Sequence, residues 1–154
     1  MTPMIELPQR LLDDMVAHAR EREPEEACGL LGAETGPDGR RLTYTYRARN
    51  VAEEPTVRFE VHPQDLLQVF EIEQKGWELG IYHSHPRSPA YPSATDVGHA
   101  QRWPGIYHLI LSLRHPNAPE VNAYRIEDGE ITPEALRIVD GSAGNTYLRF
   151  VRSS

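Results

Sequence analysis

Three prolines fall within the seven residues Pro86–Pro92 (PRSPAYP). Each locks its φ and lacks an amide donor, so this segment can be neither helix nor interior strand and must form a stiff loop. The residues before it, Trp77 to Ser84 (WELGIYHS), read as a strand that runs straight into His85-Pro86. Immediately after it, Ser93 followed three residues later by Asp96 marks a helix start, with the helix expected to reach about Arg102 before Pro104-Gly105. A strand end and a helix start are therefore held close by a loop that cannot wander.

The remaining pattern supplies partners for that strand. Leu11, Leu12, Met15, Val16 and Ala19 recur at helical spacing between Pro8 and Pro24, predicting an amphipathic helix. Ala27 to Gly32 (ACGLLG) is apolar and too short for a core helix, which favours a buried strand entered from Glu25 and Glu26. Thr35 to Gly39 is a turn signal, and Arg41 to Arg47 (RLTYTYR) completes a hairpin. A polar loop follows over 50–56. Then come a short strand from Val57 to Val61 and a helix that opens at Pro63 and ends before Gly76. Tyr107 to Leu113 and Val121 to Ile126 are further strands, and Asp128-Gly129 turns the chain into Glu130 to Thr132, beyond which a short tail is expected. Helices interleaved with strands predict an α/β fold, a mixed β-sheet flanked by helices. With 154 residues and no internal repeat, a single domain over 1–154 is the expectation.

Composition excludes several classes. The 16 basic residues against 23 acidic ones leave a charge of −7, which opposes a nucleic-acid partner. The only cysteine is Cys28, so neither an intrachain disulfide nor a cysteine-rich zinc knuckle can form. The start lacks a basic head and apolar signal core, and no apolar run has bilayer-spanning length; no membrane partner and a cytoplasmic address are expected. Oligomeric state is left open.

Chemistry concentrates between Tyr82 and Asp96. His83 and His85, two apart on a strand, leave the same face about 6–7 Å apart at Cα and can converge on one ion. Imidazole nitrogen suits zinc, and Asp96 would add a harder third ligand, leaving a fourth position open as in catalytic sites. On local grounds Asp96 has a stronger role as the reciprocal partner of Ser93 in a capping box, and both roles compete for the same carboxylate oxygens. Glu25 and Glu26 read either as a solvated turn after Pro24 or, for Glu26, as a base beside a metal-activated water. Cys28, flanked by Ala27, Gly29, Leu30 and Leu31, reads as a small buried hydrophobe and not a nucleophile. His18, His62, His99, His108 and His115 read as surface or hydrogen-bonded histidines, with His99 sharing a helix face with Asp96.

Taken together, Glu26 in PEEACGLLG, His83 and His85 in HSHP, and Ser93 and Asp96 in SATD resemble the signature of the JAMM (MPN+) metallopeptidases: a distant Glu, His-x-His, then Ser and Asp at fixed distances. Eight positions separate His85 from Ser93 and three more reach Asp96, as in that family. The likeness covers nearly the whole chain and is greatest to small bacterial members of the cysteine-releasing type. It implies a fold similar to that of cytidine deaminases. It also implies zinc (Zn2+) held by His83, His85 and Asp96, with Glu26 as general base and Ser93 as oxyanion donor. The implied substrate is a ubiquitin-like sulfur-carrier protein with a Gly-Gly tail, cut after its C-terminal glycine. Some relatives with this fold lack the metal residues and act as scaffolds; here all five positions are filled.

Overall fold

The computed structural model describes residues 4–140 and 148–151. The chain starts with β1 (Met4–Pro8) and passes directly into α1 (Gln9–Arg22). The hairpin β2 (Cys28–Gly36) and β3 (Gly39–Ala48) follows, then α2 (Leu67–Gln74), β4 (Glu78–His85) and α3 (Ala94–His99), with a 3₁₀ turn over Ala100–Arg102. The second half is β5 (Tyr107–Ser112), β6 (Glu120–Glu127), β7 (Glu130–Glu134), β8 (Leu136–Val139) and β9 (Leu148–Val151). No helix among the described residues is long and apolar enough to cross a membrane.

The nine strands among the described residues form one mixed sheet in the order β7-β6-β5-β4-β2-β3-β1-β8-β9. β4 runs parallel to β5, and β1 runs parallel to both β3 and β8, while the other pairs are antiparallel. The mixed sheet flanked by helices is the architecture expected from the sequence.

Alternation along the strands divides the core in two. On one face, Leu11, Leu12 and Met15 of α1 pack against Leu31, Tyr82, Leu109 and Ile138. On the other, Ile72 of α2 meets Cys28, Leu30, Phe59 and Ile81, while Ala100 meets Ile110 and Tyr124. Glycines open space where large rings cross the sheet: a Cβ on Gly29 would overlap the Tyr82 ring, and one on Gly80 the Tyr107 ring. His83 and His85 share the second face with Ile81, because all three are an even number of residues apart.

Three local expectations are corrected. Val57 to Val61 is not a strand: the only ladder contact there is an isolated Asn50–Val61 bridge. The reason is the Asn50 side chain. Its Nδ2 donates to the Glu26 and Arg58 carbonyls and its Oδ1 accepts from the Ala52 and Glu60 amides, giving the loop hydrogen bonds that a ladder would otherwise supply. The segment after Thr132 is not a tail, since β8 lies alongside β1 with Ile5 opposite Leu136 and carries β9 on its far side. The helix expected from Pro63 begins only at Leu67; 63–66 form tight turns, with Asp65 tied to the Arg49 amide at 2.8 Å and the Tyr46 hydroxyl at 2.9 Å.

Candidate metal centre

β4 ends on His83-Ser84-His85, with both imidazoles on one face of the sheet. The proline-rich loop then returns the chain so that the first turn of α3 meets that face. Ser93 is the N-cap: its Oγ accepts the Asp96 amide at 3.1 Å, and Asp96 Oδ2 accepts the Ser93 amide at 2.9 Å. The same Oδ2 lies 3.0 Å from His85 Nε2 and 3.2 Å from His83 Nε2, and the two nitrogens are 3.2 Å apart. One carboxylate oxygen thus completes the cap and also faces both histidines. His83, His85 and Asp96 are all buried, and their donor atoms form a group that could hold a metal ion.

His85 Nδ1 sits 2.7 Å from the Pro89 carbonyl, which can only accept; the ring therefore donates there, which leaves Nε2 as the nitrogen facing Asp96 and His83. Burial alone would raise the Asp96 carboxyl, but His83, His85 and the Ser93 amide outweigh it and hold it well below the usual carboxylate range. Burial would lower His85, yet the hydrogen bond and charge of Asp96 raise it.

Glu26 lies just before β2 and is only 5% exposed. Its amide donates to the Pro55 carbonyl at 2.7 Å and its own carbonyl accepts Asn50 Nδ2 at 2.9 Å. Its Oε1 is buried without a protein hydrogen-bond partner. Desolvation raises its pKa, and the field of His83 opposes that rise. The turn reading for Glu26 fails on burial, whereas Glu25 pairs with Arg22 near the surface.

Cys28 pairs in register with His83 and is fully buried; burial pushes its thiol up to about 12, which suits a structural neighbour and not a nucleophile. Among the other histidines, His18 bonds the Tyr82 hydroxyl at 2.7 Å and His62 accepts the Gln64 amide at 3.0 Å, while His115 is exposed. His108 departs from expectation: it is buried on β5 with Nε2 lacking a protein partner, and desolvation lowers it to about 3. His99 lines a groove of about 680 Å³ together with Val51, Glu54, Phe59, Asp96 and Arg102.

Three residues important to this geometry escaped the sequence reading. Ser84, the middle residue of His-x-His, is fully buried and accepts the Ala27 amide at 2.8 Å, fastening the chain beside Glu26 to β4. Asn50 ties the 50–60 loop to Glu26. Phe59 stacks on His83. Only Asn50 carried a local signal, as a polar residue at a loop start.

Residues 8–127 match the family described as prokaryotic homologs of the JAB domain, and the chain belongs to that JAMM-like family. It is 36% identical to the CysO-cysteine peptidase of Mycobacterium tuberculosis over 132 residues, which cover 84% of this chain and 88% of the relative. It is also 42% identical to the desampylase of Haloferax volcanii over 106 residues, 65% of this chain and 74% of the relative. A solution structure of a Desulfitobacterium hafniense protein superposes with a TM-score of 0.78 at 34% identity, covering 89% of this chain and 94% of the other. The protein is a hydrolase of the JAB type.

Proposed function

We propose that the chain is a zinc-dependent cytoplasmic peptidase, one domain over 1–154, that hydrolyses the amide bond after the C-terminal glycine of a ubiquitin-like sulfur-carrier protein and releases cysteine. The observation that carries this reading is the convergence of three buried donor atoms beside a buried carboxyl whose Oε1 has no protein partner. The donor set fits the ion: two imidazole Nε2 atoms and one carboxylate oxygen are a zinc-type triad, and the desolvated Glu26 would gain from a nearby cation.

In this reading His83, His85 and Asp96 are the ligands. Zinc held there would supply Lewis-acid polarisation of the scissile carbonyl and an acidified water. Glu26 accepts the proton of the attacking water as its oxygen bonds to the carbonyl carbon, and returns a proton to the amine as the C–N bond breaks. Ser93 Oγ already accepts the Asp96 amide, so its O–H proton is available to the developing oxyanion. The groove between the 51–60 loop and α3 leads away from Asp96 and would take an extended Gly-Gly tail. The name of the Mycobacterium relative supports cysteine as leaving group. That of the Haloferax relative supports a second reading, release of a protein conjugated to the carrier.

The test is the mass of the organism's own sulfur carrier, bearing a C-terminal cysteine, incubated with zinc-loaded protein. Loss of one cysteine residue is expected with the unmodified protein and not with Glu26→Gln, which keeps the ligands but should lose at least about 100-fold in rate. Cleavage of a carrier–protein conjugate but not of the carrier–cysteine substrate would select the second reading. Failure on both substrates, with zinc bound stoichiometrically, would overturn the peptidase reading.

A further inference from the structure

Histidines that bind metal are normally oriented through their second ring nitrogen, which donates to a carbonyl or carboxylate. His85 follows this rule through Pro89. His83 does not: its Nδ1 is buried without a protein acceptor. The His83 ring instead lies on the face of Phe59, with centroids 4.6 Å apart and planes 24° from parallel. Phe59 is itself buried, and it is held edge-on against His99 at 4.5 Å. The loop that delivers it is the one anchored by Asn50, whose side chain also bonds the Glu26 carbonyl.

Building on the metal reading above, we propose that Phe59 is the positioning residue for His83, its ring face doing the orienting that a hydrogen bond does for His85. Without that face the His83 ring can turn about its Cβ–Cγ bond, and the freedom must be given up each time Nε2 takes the ion. The hydrogen-bonded partners of ligating histidines contribute roughly 10–100-fold in metal affinity, and Phe59 takes that place here.

The experiment measures zinc affinity by competition with a chromophoric chelator for the unmodified protein, Phe59→Leu and Phe59→Tyr. The visible spectrum of each cobalt-substituted form and the melting temperature of each metal-free form are recorded alongside. Phe59→Leu keeps apolar volume but no ring face; it should bind zinc about tenfold or more weakly and show an altered cobalt spectrum. Phe59→Tyr keeps the face and should restore both. A purely structural role for Phe59 would lower the melting temperature and leave the zinc affinity of the folded protein unchanged, which would overturn the proposal. If Phe59→Leu does not fold, Phe59→Met is read by the same criteria. Failure of the unmodified protein to bind zinc would overturn the metal reading and this inference with it, whereas zinc binding retained in full by Phe59→Leu would overturn this inference alone.

Discussion

In the proposed mechanism Ser93 carries two loads on one oxygen atom. Its Oγ caps α3 by accepting the Asp96 amide, and its proton is the one assigned to the oxyanion. Ser93→Ala should therefore reduce kcat by about 10²–10³ through the lost donor and cost about 1 kcal/mol of stability through the lost cap. Steady-state kinetics and urea titration measure the two separately, and unchanged kcat would remove Ser93 from the mechanism. His18 makes a different prediction, about pH. Burial, helped by Arg47 and Arg22 and opposed by Glu21 and Asp14, pulls its pKa from 6.5 to about 4. Because the folded value lies below the unfolded one, the neutral ring's contribution is fully present above about pH 6.5 and is lost as pH falls toward 4. The loss is of the order of 3 kcal/mol, readable as a falling urea midpoint. His18→Gln can keep a bond to the Tyr82 hydroxyl without titrating in this range, and should flatten that part of the profile. An identical pH slope in the variant would show that other groups dominate.

Among the elements, those that carry their own local signal were legible. α1, the β2–β3 hairpin, β4, β5 and β6 all lie where periodicity and turn residues predict them, because each is specified by neighbours in sequence. β1 and β8 were not legible: they pair in parallel across the length of the chain, as the 2.7 Å Arg137–Glu6 ion pair shows, and nothing within either short strand announces a partner so distant. The same non-local logic ties β3, β4, β6 and β7 together. Arg40 of β3 bonds Glu134 of β7 at 2.8 Å and Glu78 of β4 at 3.3 Å, and Arg125 of β6 bonds the same two carboxylates. In the sheet order β3 and β7 are separated by four strands, so this contact requires the sheet to curl around the face that α1 fills. Glu134 is 2% exposed, and Glu134→Ala would leave Arg40 buried with only part of its compensation. A loss of about 3 kcal/mol in urea-derived stability is expected, and a loss below about 0.5 kcal/mol would mean that the network is merely a surface decoration.

For the whole molecule, the apolar clusters on the two faces of the sheet contain none of His83, His85 and Asp96, and among their residues only Phe59 stacks on the triad, so the fold should persist without metal while the site does not. Removing zinc with a chelator should abolish peptidase activity, leave far-UV circular dichroism intact, and lower Tm. With free zinc at about 100 times Kd the linkage is about 2.7 kcal/mol, or roughly 5–10 °C for a chain of this size. An unchanged Tm with and without zinc would show that no ion binds the native state selectively. By itself the sequence determined the chemical inventory and its spacing: His83 and His85 on one strand face, the stiff loop, and the Ser93–Asp96 helix start, since each depends only on backbone periodicity and short-range hydrogen bonding. It determined the family for the same reason, through residue types at fixed separations. Whether Glu26 is a solvated turn residue or a buried carboxyl, and whether Asp96 caps or faces the histidines, was decided only by tertiary structure. Both depend on desolvation and on atoms from β2, β4 and α3 meeting at one point, which no local stretch of sequence contains. Phe59 belongs with them: in the sequence it is one apolar residue in a loop, and its place over His83 exists only once the Asn50-anchored loop folds against the sheet.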